Sequence, residues 1–421
     1  MLRRTLVPLL SLALAACGGD TEAPGESIRS EKNRITSPAV SGETVDSVVS
    51  DNTDFGWEMY RSAVAADPFG NAVFSPYSLY SAFGMLYAGA DGNTQTQMAD
   101  GFRFGDRESS EFHAAMNAIE LALPESDDWG ILRVANDLWV QNDFDVKTPY
   151  LDTLAENYGS GMHGLDFVGD AVAAIDLINQ YISDVTEGKI PTLFGPNSLN
   201  AATRLALTNA IYFKSSWKDE FKPEDTRDAD FHRLDGSTVQ AQMMNSTESF
   251  YYGEEPGRYQ AVEIQYKNED LAMLVVMPDE GTLGEFEASM DASELASVTG
   301  AMVTQEVVLG FPKFELNTTL DTLKEDLEAL GMNDMFNPGT ADFSGIADAD
   351  LFVQTVVHKA YILVNEEGTE AAAATGIGTG VTSAPPPPVT MTVDKPFLYF
   401  IRHLPTGNCL FMGRVVDPTV E

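Results

Sequence analysis

The stretch NEEGTEAAAATGIGTGVTSAPPPP, residues 365–388, decides how the rest of this chain is interpreted. It follows an apolar run, LFVQTVVHKAYILV at residues 351–364, whose β-branched and aromatic composition predicts a long buried strand. Residues 371–393 carry no charged side chain, although the formal net charge of the chain is −39. Loops in compact domains are usually short and polar, so this long uncharged segment is either disordered or functional.

Alternate residues of this stretch differ in kind. One set, from Thr369 to Val381, has small or β-branched side chains, whereas the set between them, from Glu370 to Gly380, is mostly alanine and glycine. A strand places alternate residues on opposite faces, so the pattern is typical of a strand that lies between two neighbours. The segment nevertheless ends in four prolines, which favour an extended, solvated chain. The pattern therefore indicates a segment that can lie either as a solvated loop or as a strand in a sheet. A flexible Gly/Ala linker is the alternative.

Several segments, spread over residues 54–418, resemble one protein family. EEGTEAAAAT at residues 366–375 is similar to the hinge of a serpin reactive-centre loop, and DKPFLYFIR at residues 394–402 is similar to the strand that follows it. Five further motifs occur in the order found in serpins: NAVFSPYSL at 71–79, LTNAIYFKSSWKDEF at 207–221, FPKFEL at 311–316, DFSGI at 342–346 and FMGRVVDP at 411–418. Each motif is weak alone, but the ordered set is highly specific.

The resemblance implies a serpin-like fold of the α+β class. Such a fold has a large mixed and antiparallel main sheet, two further sheets, about eight to nine helices and an exposed reactive-centre loop, here at about residues 365–392. The alternation of helix and strand patterns agrees with a mixed α+β chain. Because the body contains no internal repeat and no linker, residues 51–421 are expected to form a single domain. Residues 307–316 are expected to form one strand.

The resemblance also assigns roles to single residues. A polar cluster beneath the main sheet, called the shutter, is expected to consist of Ser75, Ser78, Asn209 and His358. Trp217 is expected at the top of the same sheet, where the loop first enters, and Lys313 is expected to pair with Glu366. Without the resemblance, Trp217 and the shutter histidine would be core residues, and the serine before Pro76 would be a helix N-cap.

The loop resembles that of the inhibitory members of the family. Thr369 is the first side chain expected to enter beneath the sheet, after a flexible Gly368. Family spacing places the scissile bond between Thr382 and Ser383, or alternatively between Val381 and Thr382, and the loop is longer than usual on its C-terminal side. A bait of this kind predicts an elastase-like or other small-pocket serine protease as target. The expected hinge comprises Glu366, Glu367, Gly368, Thr369, Glu370, Ala371, Ala372, Ala373, Ala374 and Thr375.

The implied activity is that of a suicide substrate. A target serine protease forms its acyl-enzyme at the bait bond, and the freed loop inserts into the main sheet before water can deacylate it. The inhibitor is expected to be a monomer with no cofactor, metal site or catalytic activity of its own. The alternative is a non-inhibitory lipoprotein of the same fold that acts as a surface binding module.

Enzyme motifs do not occur in the sequence. The five histidines lack metal-ligand spacing, and HExxH, P-loop and GxSxG patterns are absent. The excess of 64 acidic over 25 basic side chains disfavours nucleic acids and heparin-like polyanions as partners, because both require basic patches.

The N-terminus predicts export. Residues 1–16 have the composition of a signal peptide whose apolar core is too short to span a membrane, and LAAC at residues 14–17 resembles a bacterial lipobox. The resemblance implies lipidation of Cys17 and a lipid anchor in the bacterial cell envelope, at the outer membrane or cell surface, with extracellular release as a further route; an ordinary signal peptide is the alternative. Residues 17–50 are polar, which predicts a disordered tether. Cys409, the other cysteine, is expected to be a buried thiol.

Overall fold

The computed structural model describes residues 22–105, 107–126, 130–320, 322–369 and 387–420. These ranges contain nine α-helices: α1 (Gly42–Ala66), α2 (Pro76–Tyr87), α3 (Gly92–Gly101), α4 (Ser109–Ala122), α5 (Thr148–Tyr158), α6 (Phe167–Val185), α7 (Leu283–Ser289), α8 (Ala292–Gly300) and α9 (Leu323–Ala329). They also contain the strands β1 (Glu26–Ile28), β2 (Ala72–Phe74), β3 (Gly130–Gln141), β4 (Met162–Leu165), β5 (Leu205–Ser216), β6 (Arg227–His232), β7 (Thr238–Glu255), β8 (Tyr259–Gln265), β9 (Leu271–Pro278), β10 (Val303–Pro312), β11 (Phe314–Thr319), β12 (Val356–Val364), β13 (Gly368–Thr369), β14 (Val389–Thr392), β15 (Phe397–His403) and β16 (Asn408–Val415).

Two sheets organise the described residues. The main sheet has seven strands in the order β1-β4-β3-β5-β13-β12-β11, and the second has nine, including the path β14-β10-β7-β8-β9-β15-β16-β2 with β6 paired to β7. The expected α+β serpin-like fold is therefore present. The two further sheets expected beside the main one are continuous here, because the 18-residue strand β7 belongs to both.

The helix α2 lies beneath the main sheet and positions part of the shutter. Its N-cap is Ser75, whose side chain accepts a hydrogen bond from the backbone N–H of Ser78, and Pro76 occupies the first turn. A proline there costs little, because its missing N–H would have no partner within the helix. All twelve residues of α2 are buried, so the helix can be apolar on every side.

The core lies between the two sheets, and a smaller core lies on the outer face of the main sheet. In the smaller core α6 packs its apolar side over β3, β5 and β12, burying Trp139, Ile178 and Tyr361. Cys409 is the free cysteine of the described residues and is fully buried, which raises the pKa of its thiol to about 12. Within the ranges described here, no helix is both long and apolar enough to cross a membrane.

Two strand predictions were wrong at their ends. Residues 307–316 are not one strand: β10 belongs to the second sheet and β11 to the main sheet, with the break at Pro312 and Lys313. Proline has no N–H to donate, and the buried rings of Phe311 and Phe314 both contact Phe397 in the core. The strand expected at residues 351–364 begins only at Val356 in β12.

The prediction of a disordered tether at residues 17–50 was also wrong for its described part, residues 22–50. Residues 26–28 form β1, which pairs with β4 at the edge of the main sheet, and α1 begins at Gly42 with Ser41 as its N-cap. Arg34 donates hydrogen bonds to Asn117 (2.8 Å) and Glu120 (3.0 Å) on α4. Backbone pairing and single polar contacts hold this segment, which is why its composition did not reveal it.

The pairing register of the strands shows which residues lie at each of the two ends, or poles, of the main sheet. We call the end of β5 at Ser216 the top and the end at Leu205 the bottom. Near the bottom, Glu26, Gly164, Val140 and Leu205 form one transverse row across four strands. The chain therefore enters the fold at the bottom pole.

Candidate functional site

The base of the loop is already part of the main sheet. After β12 the chain turns, with hydrogen bonds between Asn365 and Gly368 in both directions (2.9 and 3.3 Å), and returns as β13. Thr369 pairs with Val364 of β12 and with Ser215 of β5, so β13 lies between these two strands. The loop base at residues 365–369 was expected to be exposed and is not, because β13 is paired on both sides and the Thr369 side chain is fully buried.

Two aromatic side chains line the place where β13 enters. Trp217 stacks on Tyr266 with ring centroids 4.7 Å apart, and its indole N–H donates to the carbonyl of Asn365 (3.0 Å). The hydroxyl groups of Tyr266 and Thr369 are hydrogen-bonded at 2.8 Å. Trp217 therefore contacts the loop base, as expected, and is also a buried core residue.

Glu366 fixes the turn to neighbouring strands. The ammonium group of Lys313 lies 2.8 Å from its carboxylate, so the predicted pairing is present, and the hydroxyl of Thr226 donates to the same carboxylate at 2.8 Å. Burial tends to raise the pKa of Glu366, but these hydrogen bonds outweigh burial and lower it. Since Lys313 is about one-third exposed, the pair contributes on the order of 1 kcal/mol or less.

Gly368 is required by the backbone of the turn. Its φ angle is +153°, which L side chains rarely adopt, and a Cβ atom there would lie 2.1 Å from the carbonyl oxygen of Ser215.

We expect Gly368→Ala to remove β13 from the sheet, at a cost of about 1–3 kcal/mol in local strain. The hydrogen bond from Trp217 to Asn365 would then be lost. Intrinsic tryptophan fluorescence and amide exchange at residues 364–369 measure this change. Gly300→Ala is the matched control, because a Cβ atom there meets nothing within 4 Å. Unchanged protection of Thr369 in the first variant would contradict the prediction.

The shutter residues form one buried network. His358 on β12 accepts a hydrogen bond at Nε2 from the backbone N–H of Ser75 (3.0 Å), and its Nδ1 contacts the side-chain oxygen of Asn209 on β5. The Asn209 amide donates to Ser78 Oγ (2.8 Å) and to Asn136 Oδ1 (2.6 Å) on β3. The network therefore links three strands of the main sheet to α2.

These contacts determine the state of the imidazole. Because Nε2 accepts a hydrogen bond from an N–H group, the proton of the neutral ring is on Nδ1 and is donated to Asn209. Burial lowers the pKa of His358 to about 3, so the ring stays neutral at physiological pH. Burial also lowers the pKa of His113, on α4, to about 3.

We expect the free energy of unfolding to fall as the pH is lowered from 7 to 5. The unfolded chain protonates both imidazoles near pH 6.5 and the folded chain does not, so unfolding takes up protons and acid favours it. The variant His358→Gln removes one such group and should reduce the pH slope by about 1.4 kcal/mol per pH unit. Denaturant titrations at pH 7, 6 and 5 measure the slope, with the exposed His232→Gln as control. Equal slopes in His358→Gln and the parent would contradict the expectation.

The main sheet is closed below the loop base. There β5 pairs directly with β12 in parallel, from Leu207↔Val356 to Tyr212↔Tyr361, and the pair His358↔Asn209 lies within this ladder. At the top of the main sheet, β13 therefore lies between β5 and β12. Below β13 these two strands pair directly and are joined by the shutter network.

Sequence reasoning missed two members of the site. Asn136 could have been found, because it has the same strand parity as the buried Leu138 and is polar where the pattern requires an apolar residue. Tyr266 gives no such signal, because it is 103 residues from its partner Thr369. The rest of the hinge from Glu370 to Thr375, both candidate scissile bonds and Cys17 lie outside the described residues. Among the described residues, no group of three or more His, Cys, Asp or Glu side chains could hold a metal ion.

The main sheet thus holds the base of the loop between two of its strands, above a buried polar network. Residues 50–418 match the family model described as serpin (serine protease inhibitor), and the chain belongs to the serpin family.

The similar proteins include an elastase inhibitor and a thyroxine-binding protein. The human leukocyte elastase inhibitor is 36% identical over 386 residues, covering 89% of this chain and 100% of that protein. The crystal structure of native protease nexin-1 with heparin has a TM-score of 0.78 and 31% identity, covering 89% of this chain and 100% of the other. Human thyroxine-binding globulin complexed with its hormone has a TM-score of 0.79 and 28% identity, covering 90% and 100%.

Proposed function

We propose that the protein is a suicide-substrate inhibitor of serine proteases and traps the acyl-enzyme by inserting its cleaved loop into the main sheet. The observation that carries the proposal is β13, which is already paired with both β5 and β12. A segment that forms two antiparallel ladders at its first residues can extend them if the strands below separate. No rearrangement of the loop base is then needed.

The register of β13 predicts where each inserted residue would lie. Continued downward along both neighbours, it places Thr375 between Asn209 and His358, which are themselves paired in the closed sheet. A threonine hydroxyl can both donate and accept, so it can replace the hydrogen bond that insertion breaks. The same register places Thr382 just beyond Leu205, at the bottom of the sheet. A protease attached at Thr382 would therefore travel the full length of β5.

Insertion would exchange one ladder for two. The parallel pairing of β5 with β12 extends over six residue pairs, and it would be replaced by antiparallel pairing of the loop with both strands. Antiparallel ladders are slightly more stable per residue than parallel ones, and the inserted alanines add little volume. The gain in pairing would drive translocation of the protease.

The test is to mix the purified protein with pancreatic elastase, neutrophil elastase and subtilisin, and to separate the products on a denaturing gel. We expect a denaturant-resistant band near the summed mass and a released C-terminal fragment that starts at Ser383 or Thr382. The bait residues and the similarity to the leukocyte elastase inhibitor support an elastase-like target. Cleavage in the loop without a stable band would favour the alternative, a non-inhibitory binding protein.

We further propose that the protein is exported and anchored in the bacterial cell envelope through lipid on Cys17, and that it acts as a monomer. The support is the LAAC sequence after an apolar signal core. Mass spectrometry of the N-terminal peptide from the membrane fraction tests the lipid. The variant Cys17→Ser should appear in the soluble fraction, and its retention in the membrane would overturn the proposal.

A further inference from the structure

The N-terminal segment joins the main sheet to two helices. Residues 26–35, which we call the strap, pair with β4 and continue across α5 and α4. The hydroxyl of Ser30 donates to Asp152, Lys32 lies 3.1 Å from Glu156, and the backbone N–H of Ile35 donates to the carbonyl of Glu156 (2.9 Å).

The strap is held without a core of its own. None of its side chains is fully buried; Ile28 is partly buried against the main core and Ile35 is 41% exposed. Lys32 and Glu156 form a surface pair of the kind that contributes little to stability. Segments with few buried apolar contacts open locally at a small fraction of the global unfolding free energy. Detachment breaks polar contacts, among them those of Arg34 with Asn117 and Glu120, but it exposes little apolar surface, so the strap would open before the core does.

The strap fixes where an N-terminal anchor would attach. Glu26 lies in the bottom row of the main sheet, while the loop base at Thr369 lies at the top beside Ser215. A molecule held by its N-terminus would thus present its loop away from the anchoring surface, where a protease can reach it. Under the proposed mechanism, however, the trapped protease would arrive at the anchored pole.

The length of chain between anchor and strap limits the space at that pole. Glu26 is nine positions after Cys17, and this stretch spans at most about 30 Å when fully extended. A globular protease of about 230 residues has a radius of gyration of about 17 Å and hence a diameter of about 45 Å. With the strap detached as far as the N-cap Ser41, 24 residues are available and reach about 80 Å.

We propose that the strap is a releasable spacer for a lipid surface: it holds the anchored inhibitor with its loop outward, and it detaches to make room for the protease at the membrane-facing pole. This inference rests on the proposed function and on the proposed lipid anchor. The surface that the strap faces is a lipid bilayer. The strap must be paired with β4 before the protease is captured and detached from β4 afterwards.

The test locks the strap in the full, lipid-modified chain reconstituted in phosphatidylcholine vesicles. Glu26→Cys and Gly164→Cys, which are paired across β1 and β4, are joined by a short bis-maleimide; Cys409 does not compete, since it is buried and its thiol pKa is raised. We expect the locked, anchored protein to lose covalent complex with neutrophil elastase at least about tenfold relative to the same variant without crosslinker. The locked, soluble form carrying Cys17→Ser should trap elastase normally.

Two matched forms complete the test. A bis-maleimide crosslink between Asp230→Cys and Gln240→Cys, on β6 and β7, should have no effect on complex yield. Inserting 30 Gly/Ser residues after Gly19 should restore trapping by the locked, anchored protein. The inference is overturned if the locked, anchored protein traps elastase as well as the unlocked one, or if locking abolishes trapping equally in the soluble form. Absence of complex from the unlocked soluble form would instead overturn the proposed function, and this inference with it.

Discussion

Thr369→Arg is expected to convert the protein from an inhibitor into a substrate. The Thr369 side chain is fully buried between β5 and β12 and is hydrogen-bonded to Tyr266, so an arginine there would place an unpaired charge inside the sheet. Burying such a charge costs several kcal/mol, and each 1.4 kcal/mol added to the insertion barrier slows insertion about tenfold. Deacylation would then be faster than insertion, and the molar ratio of inhibitor consumed to elastase inhibited should rise by about tenfold or more.

The ratio is measured by titrating active elastase with the variant and counting cleaved against complexed inhibitor on a gel. Thr238→Arg is the control, because it introduces the same side chain at an exposed strand position of the second sheet. A variant at Thr369 that still inhibits at the parent ratio would show that the insertion mechanism is wrong for this protein.

Asn209→Ala is expected to give a large loss of stability in the closed form. The Asn209 side chain accepts from His358 and donates to Ser78 and Asn136. Ser78 and Asn136 are also hydrogen-bonded to each other, so removing Asn209 leaves one buried group, Nδ1–H of His358, without a partner. An unsatisfied buried group costs about 1–3 kcal/mol, and the lost hydrogen bonds to Ser78 and Asn136 add to this, which predicts a fall of about 2–4 kcal/mol in the free energy of unfolding. Denaturant unfolding at pH 7 measures it.

The matched control is Asn317→Ala on β11. This asparagine belongs to the same sheet but is exposed, so its loss should change the free energy of unfolding by about 0.5 kcal/mol or less. If both variants lost the same amount, the shutter network would not be what holds β5 and β12 together.

The loop region shows how far alternation in a sequence can be interpreted. Small side chains on every second residue from Thr369 to Val381 predicted a strand between two neighbours. Only the first of these, Thr369, is among the described residues, and with Gly368 it forms β13 between β5 and β12. The pairing of Lys313 with Glu366 followed from family resemblance and is present. The sequence pattern alone does not show that Thr369 is already paired with both β5 and β12, since this depends on tertiary contacts with Tyr266 and Trp217.

The N-terminal segment shows the opposite case. Its polar composition predicted disorder, because composition measures the apolar surface that a segment can bury. The strap is instead held by backbone pairing with β4 and by polar contacts such as that of Arg34 with Asn117. Such contacts depend on which groups the rest of the fold presents nearby, and no local pattern in residues 22–41 encodes them.

The pairing of β5 with β12 has a consequence for how the protein would be used. Once the loop has replaced that pairing with two ladders, returning to the starting state requires breaking more hydrogen bonds than were present at first, after the loop has also been cut. Under the proposed mechanism, the capacity for inhibition would be set by the number of inhibitor molecules and used up one protease at a time, so only new synthesis would restore it. The affinity for the protease would determine how fast the inhibitor molecules are consumed, but not how many of them are present.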